Sequence, residues 1–234
     1  MSADSFTVRI TARNQDPDNL STFVIKRNPS FEFYNEEVSL TKAYIPYTWH
    51  SVTAEMGNNQ FSYQMNGQIY PVQLTNGNHS IESINDYLPS QLNLQIDPQS
   101  RLVRITATDN AQLIVPATKF ADLIGFLPGS YGASQGVALP RLNTIGVCNI
   151  NTNIVNTTMT AGYVSWNCLD TFLPTDDWGS VIVVEPATPN WMRIIDGSFD
   201  SISISLTDHE NQPLRLLDPR VYVELEFRKR VSDH

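Results

Sequence analysis

The sequence is poor in the residues that build chemical sites. It has two cysteines in 234 residues, Cys148 and Cys168, with no C-x-x-C pair and no metal-ligand spacing. So few cysteines do not make a disulfide framework, and both read as reduced, semi-buried residues. The four histidines, His50, His79, His209 and His234, are scattered along the chain. A cupin-type metal centre needs two histidines one residue apart on a strand plus a third ligand, and that pattern is missing. Positive charge is also scarce. Lys and Arg number 15 against 24 Asp and Glu, a formal net charge of −9. Nucleic-acid binders cluster cations against phosphate, so direct nucleic-acid binding is not expected. The nearest thing to a basic patch is "FRKR", ending in Arg228 to Arg230, and it reads as a solvated end. No apolar run approaches the roughly 18 residues of a membrane-spanning helix. The opening "MSADSFTVRI" reads without a signal peptide. Synthesis is therefore expected in a reducing cytoplasm, and the N-x-S/T sequons at Asn19, Asn78 and Asn156 read as accidental.

The remaining candidates for chemistry each have a plainer reading. "TDHE", Thr207 to Glu210, offers acid, imidazole and acid, but it sits between two alternating strands, where short polar residues make a turn. "PTDDW" carries Asp176 and Asp177. Neighbours on a strand point opposite ways, so adjacency is no sign of a glycosidase pair, and a capped turn is preferred to a cation site. Cys148 or Cys168 has no local motif that would pair it with a histidine as a nucleophile. "GFLPGSYGASQG" is glycine-rich but lacks the lysine of a phosphate loop. These readings together predict no catalytic residues, no cofactor and no metal.

What is present is strand. "SFTVRITA" alternates Phe6, Val8 and Ile10, and "STFVIKR" and "FEFYNEEVSLTKAYI" follow. "NQFSYQMNGQIYPVQL" reads as a hairpin with a tight Asn66-Gly67 turn. Further strands are expected at 101–107, 111–116, 144–150, 161–168 and 180–185. Near the end, Ile202, Ile204 and Leu206 share one face, as do Val221, Val223, Leu225 and Phe227. Two short helices interrupt. Ser80 caps one that carries Ile81, Ile84 and Leu88, kinked or ended by Pro89, and Thr118 caps another that carries Phe120, Leu123 and Ile124 and closes at Gly125. The fold class expected is all-β: a single jelly-roll β-sandwich, with two short helices and long loops, over residues 1–234 as one domain. The Gly/Pro/Ser-rich stretch 126–145 reads as a loop excursion from it. A core of this size buries about 70% of the unfolded surface, so it needs neither disulfide nor metal to fold.

One stretch breaks the alternation. "VSLTKAYIPYTWHSV" starts as a strand with Val38 and Leu40 facing one way, then crowds Tyr44, Pro46, Tyr47 and Trp49. Pro46 has no N–H, so the ladder stops there or at a bulge. The three aromatics then plug the end of the sandwich, as a corner of the core, as an anchor for a neighbouring subunit, or as both.

The same stretch resembles a motif of the penton, or minor capsid, proteins of Polinton/Maverick elements, virophages and Polinton-like viruses. In that family a strand "E-V-G-L-x-E" leads into "Y-P-x-S-W-x-N". The matching positions are Glu37, Val38, Leu40, Pro46, Thr48 and Trp49. Ser39 departs from the usual glycine, Ile45 from the aromatic before proline, and His50-Ser51 from an Asn-containing end. "FADLIGF" resembles the family's helix end, and "IGVCNIN" its strand with a central cysteine. The closing pair around Asp208 and Pro213 is similar to the family's "D-x-x-G-x-P" loop, with Asn211 in place of glycine, a residue that also tolerates positive φ. The resemblance implies a structural capsid protein of the virion. It would form a homopentamer at five-fold vertices, beside double jelly-roll major capsid proteins and other minor capsid or vertex proteins. The loop 126–145 and the tail after Phe227 are the candidates for reaching neighbours. The alternative is a lectin-like or TNF-like jelly roll that recognises a glycan or receptor, with Trp166, Trp178 and Trp191 as stacking platforms.

Overall fold

Alternating β-branched and aromatic residues recur along the chain, and in the computed structural model they form eighteen strands among the described residues. The structure describes residues 5–17, 19–142, 145–155, 158–160, 163–165 and 167–230, without the side chains of 158–160 and 163–165. Asn156, Trp166 and His234 lie outside the residues whose side chains are described. The chain divides into two compact units, with residues 50–144 forming the second.

The first unit begins with β1 (Ser5–Thr11), β2 (Thr22–Phe33) and β3 (Glu36–Pro46). The second unit holds β4 (Gln60–Met65), β5 (Gln68–Gln73), α1 (Ile81–Asn85), β6 (Leu92–Ile96), β7 (Val103–Ala107), β8 (Gln112–Val115), α2 (Lys119–Ile124), β9 (Gly129–Tyr131) and β10 (Ser134–Gln135). The chain then returns to the first unit with β11 (Cys148–Thr152), β12 (Thr158–Thr160), β13 (Tyr163–Ser165), β14 (Cys168–Phe172), β15 (Val181–Val184), β16 (Met192–Arg193), β17 (Gly197–Asp208) and β18 (Tyr222–Lys229).

In the first unit the sheet orders are β1-β18-β3-β15, with β16 also on β3, and β14-β11-β17-β2. All these pairings are antiparallel. Setting aside β16 and the small β12–β13 hairpin, eight strands remain, and in chain order they run 1-8-3-6 in one sheet and 2-7-4-5 in the other. That is the jelly-roll order, and the fold is an all-β jelly roll as the alternation predicts. The inward faces follow the period of two. Val38 and Leu40 of β3 and Val223, Leu225 and Phe227 of β18 are buried in one sheet, and Ile202, Ile204 and Leu206 of β17 in the other. Aromatic rings join the sheets. Phe33 of β2 stacks on Phe227 of β18 at 5.6 Å, and Phe227 stacks in turn on Phe6 of β1 at 4.8 Å. Each such pair adds about 0.5–1.5 kcal/mol to the area it buries.

The second unit has its own core of Phe61, Leu74, Ile81, Ile84, Leu94, Ile105, Leu113 and Phe120, among others. Its sheets run β5-β4-β8-β9 and β10-β7-β6. The β4–β5 turn has Asn66 at φ 53° and Gly67 at φ 80°, the positive values of a primed hairpin turn. Ser80 Oγ accepts the Ser83 N–H and caps α1, and Thr118 caps α2 by accepting the Phe120 N–H. Gly125 ends α2 at φ 74°.

Several expectations are corrected. Helix α1 stops at Asn85, four residues before Pro89, so the proline does not end it, and Leu88 lies beyond it, half-buried. Residues 92–96, not among the expected strands, form one, with Leu92 and Leu94 alternating inward against β7. Part of the expected loop 126–145 is sheet: β9 pairs with β8, and β10 with β7. The strand expected at 144–150 begins at Cys148, and that expected at 161–168 is two strands, β13 and β14.

Gly125 generates a test. A Cβ there would lie 2.1 Å from the Ala138 carbonyl oxygen, whereas Gly67 has open space around it. Gly125→Ala combines positive-φ strain with a backbone clash and should cost about 2–4 kcal/mol, against about 1 kcal/mol for Gly67→Ala. Thermal melts of the two variants check this, and equal melting temperatures would contradict it.

Candidate functional site: the corner beyond β3 and the open edge of the sandwich

Strand β3 is flanked on both sides, by β18 and by β15. Its ladder with β15 ends where Val181 faces Pro46, a position that needs no N–H from the proline. Tyr47 then keeps the chain in place by donating its N–H to the Ser180 carbonyl. Tyr47 and Trp49 are buried at 7% and 1% exposure, with ring centroids 4.6 Å apart, and Trp49 meets Phe172 of β14 edge-on at 6.4 Å. Thr48 turns outward from this pair, and its Oγ1 accepts the N–H groups of Leu217 and Asp218. Tyr44 departs from the expected grouping. It lies inside β3, facing Tyr222 at 5.7 Å, because Lys42 and Tyr44 occupy the outer face of the strand. Glu185 hydrogen-bonds Lys42 and, together with Tyr44, holds it above the ordinary lysine range.

Asp208, Asn211 and Pro213 form a second, separate feature, the turn after β17. The Asp208 carboxylate accepts the N–H groups of Glu210 and Gln212 at 2.8 Å each, Asn211 sits at φ 60°, and Thr207 bridges to Pro213. "TDHE" is therefore a side-chain-capped turn, with His209 exposed. Asp176 and Asp177 also sit in a turn, where the Asp177 carbonyl accepts both the N–H and the hydroxyl of Ser180. Among the described residues, no three His, Cys, Asp or Glu side chains gather where a metal ion could sit.

Neither cysteine is in a disulfide, and both are buried rather than semi-buried. Cys148 lies on the central strand β11, where burial first and the Asp208 charge second push its thiol up to about 12. The Cys168 Sγ donates to the Asp170 carbonyl at 3.2 Å.

The basic end is largely exposed, as its composition suggested, but it is also paired. Arg228 and Lys229 lie in β18 opposite Glu37 and Glu36 of β3. Arg228 pairs with Glu37 at 3.0 Å and stacks on Trp191 at 3.8 Å, while Lys229 pairs with Glu36. The tail through Lys229 thus completes a sheet instead of reaching outward. Trp191, read as a stacking platform, already carries a guanidinium on its ring. Trp178 is half exposed and donates its ring N–H to the Trp49 carbonyl. These pairings depend on strand register, which no local motif displays.

One lateral side of the sandwich stays open. Strands β14 and β15 are the outer strands of their sheets, and a groove of about 690 Å³ lies between them, lined by Val147, Asp170, Leu173, Asp176, Val183 and Glu185 among others. Val181, Val183 and Leu173 are each more than half exposed. Burial pushes the Asp170 carboxyl above the ordinary range, opposed by the Thr171 N–H that it accepts.

The sequence matches no protein-family model and no curated protein. The fold does match solved structures. The crystal structure of the selenomethionine-labelled mavirus penton protein superposes with a TM-score of 0.52 at 12% identity, covering 97% of this chain and 99% of that one. The chain therefore has the fold of a penton protein over essentially its whole length.

Two predictions follow from this geometry. Trp49→Ala should cost about 3–5 kcal/mol and Asp208→Ala about 1–3 kcal/mol, read by chemical denaturation, while Asn211→Gly should be neutral. In the folded protein at pH 8, Cys148 should resist iodoacetamide and react only after unfolding, since a thiol near 12 leaves about one thiolate in ten thousand. Rapid labelling of Cys148 in native protein, read by peptide mass, would contradict its burial.

Proposed function

We propose that this chain is a structural capsid protein of a virion: a penton that assembles as a homopentamer at the five-fold vertices of an icosahedral capsid, among double jelly-roll major capsid proteins. The observation that carries this reading is the end-to-end match of fold to the mavirus penton protein, 97% of one chain on 99% of the other. The order of motifs around Pro46, Trp49 and the Asp208–Pro213 turn supports it independently, because that resemblance lies in the amino-acid sequence. The single jelly-roll count supports a vertex role as well, since a double jelly-roll major capsid protein needs about twice this length. Synthesis in the host cytoplasm, no enzymatic activity, no cofactor and no direct nucleic-acid contact belong to the same proposal. A glycan-binding module is disfavoured by Trp191, whose ring is occupied by Arg228.

Five subunits closing a ring need two different faces on each, meeting head to tail. Low charge content favours burying such faces, because few ions lose their water. The purified chain should show a native mass near five times 26.3 kDa, with about 1,200 Å² or more buried per contact. A stable trimer or hexamer in native mass spectrometry would overturn the five-fold assignment.

A further inference from the structure

The two lateral sides of the sandwich are built differently, and the difference points to a partner. On one side, β15 reads Val-Ile-Val-Val with no charge and no proline, and it is the outer strand of its sheet. Pro46 cannot donate, so Val181 opposite it is in a non-hydrogen-bonded pair. By alternation Val183 also turns its N–H and C=O away from β3, toward the open edge. The side chains of Val181 and Val183 are 52% and 54% exposed. Such an edge is a template for association, and monomeric proteins ordinarily blunt it with charge, proline or a cover. Around it, residues 168–186 carry Asp170, Asp176, Asp177 and Glu185 and no lysine or arginine. Asp176 and Asp177 are exposed, and Glu185 pairs with Lys42 of β3.

The opposite side is formed by β1 and β2, the other outer strands of the same two sheets. It is blunted by charge of both signs: Arg9, Arg13, Lys26, Arg27 and Glu32 are all exposed, Asp16 is half-buried, and Pro29 interrupts the β2 edge. Arg9 pairs with Glu224 and Arg27 lies over Phe31 at 5.3 Å, leaving Arg13 and Lys26 with no ion pair among the described residues. Phe6 and Leu20, 44% and 48% exposed, supply apolar area on this side. One side is thus acidic, apolar and unprotected. The other, near neutral because its sequence carries Asp16, Asp18 and Glu32 besides its four cations, offers Arg13 and Lys26 with apolar spots, a complementarity that steers association and fixes register.

We infer that the β14–β15 side of the first unit is a docking surface whose occupant is a second copy of this chain, presenting its β1–β2 side. The contact is heterologous, because the two surfaces are different and sit on opposite sides of one sandwich, so each copy can bind one neighbour on the left and one on the right. The contact gives the proposed ring its joint, and it stands whatever number of copies the ring holds. It also explains why an apolar strand edge persists without local protection: the neighbour is the cover.

The test uses three proteins: wild type, Val183→Lys, and Lys26→Glu with Arg27→Glu. The substituted side chains are exposed, so all three should melt at the same temperature, which separates loss of contact from loss of fold. Sedimentation should show the wild type self-associating, more weakly as salt rises, and each variant self-associating at least about 30-fold more weakly. An equimolar mixture of the two variants should associate, because each supplies the surface the other lacks. If the Lys26→Glu, Arg27→Glu variant self-associates like wild type while Val183→Lys does not, the contact is symmetric, edge to edge, and the inference falls. It falls as well if both variants keep the wild-type assembly, a result that leaves the penton reading standing with its joint elsewhere, or if the wild type stays monomeric at its highest soluble concentration. A wild-type ring of a number other than five, dissolved by both variants and restored by mixing, upholds the contact and sinks the five-fold reading instead.

Discussion

The missing N–H of Pro46 is the constraint around which the first unit is arranged. β3 is the most heavily paired strand of the unit, bound by β18 along its length, by β15 at one end and by β16 at the other. Pro46 and Val181 form a non-hydrogen-bonded pair, so the missing N–H faces the β18 side, where the ladder with β3 ends at the Tyr44–Tyr222 pair. The backbone is caught at once by Tyr47 and the Ser180 carbonyl, and Trp49 goes fully into the core beside Tyr47 and Phe172. The next residue, His50, begins the second unit. A donor at position 46 would let the ladder to β18 run on past Tyr44, beyond the point where the chain turns toward the tryptophan. The same proline sets the hydrogen-bond phase of β15, and with it which groups of Val181 and Val183 face the open edge.

Strand faces were legible in the sequence because the period of two is strict where one side is buried. Val38 and Leu40, the Ile202–Leu206 face and the Val221–Phe227 face all read correctly, as did the Asn66-Gly67 turn, whose positive φ values few other residues would accept. Helix boundaries were less legible. Pro89 was an obvious punctuation mark, but α1 had already stopped at Asn85, whose side chain is engaged with the backbone of Leu94 on β6. A tertiary partner thus ended the helix before the local signal could.

The candidate site divides the same way. Pro46, Tyr47 and Trp49 announced a special corner by composition alone, and Asn211 announced a tight turn. Tyr44 stands beside the corner in sequence, yet its strand phase sends it to the outer face with Tyr222. The neutralised basic end and the asymmetric edges were invisible for a different reason. They arise from which strand lies beside which, Arg228 against Glu37 and β15 with no neighbour beyond it, and that information resides in topology. The 12% identity to the mavirus penton protein shows how little of a jelly roll's order depends on particular residues once the alternation and turns are kept.

The proposed closure of capsid vertices by this fold is tested most directly by a single-particle reconstruction of virions that contain the chain. The account predicts density for five copies of this jelly roll around each five-fold axis, with the β14–β15 side of every copy facing its neighbour. Copies at local three-fold or pseudo-six-fold positions, with the five-fold axes occupied by another protein, would contradict it.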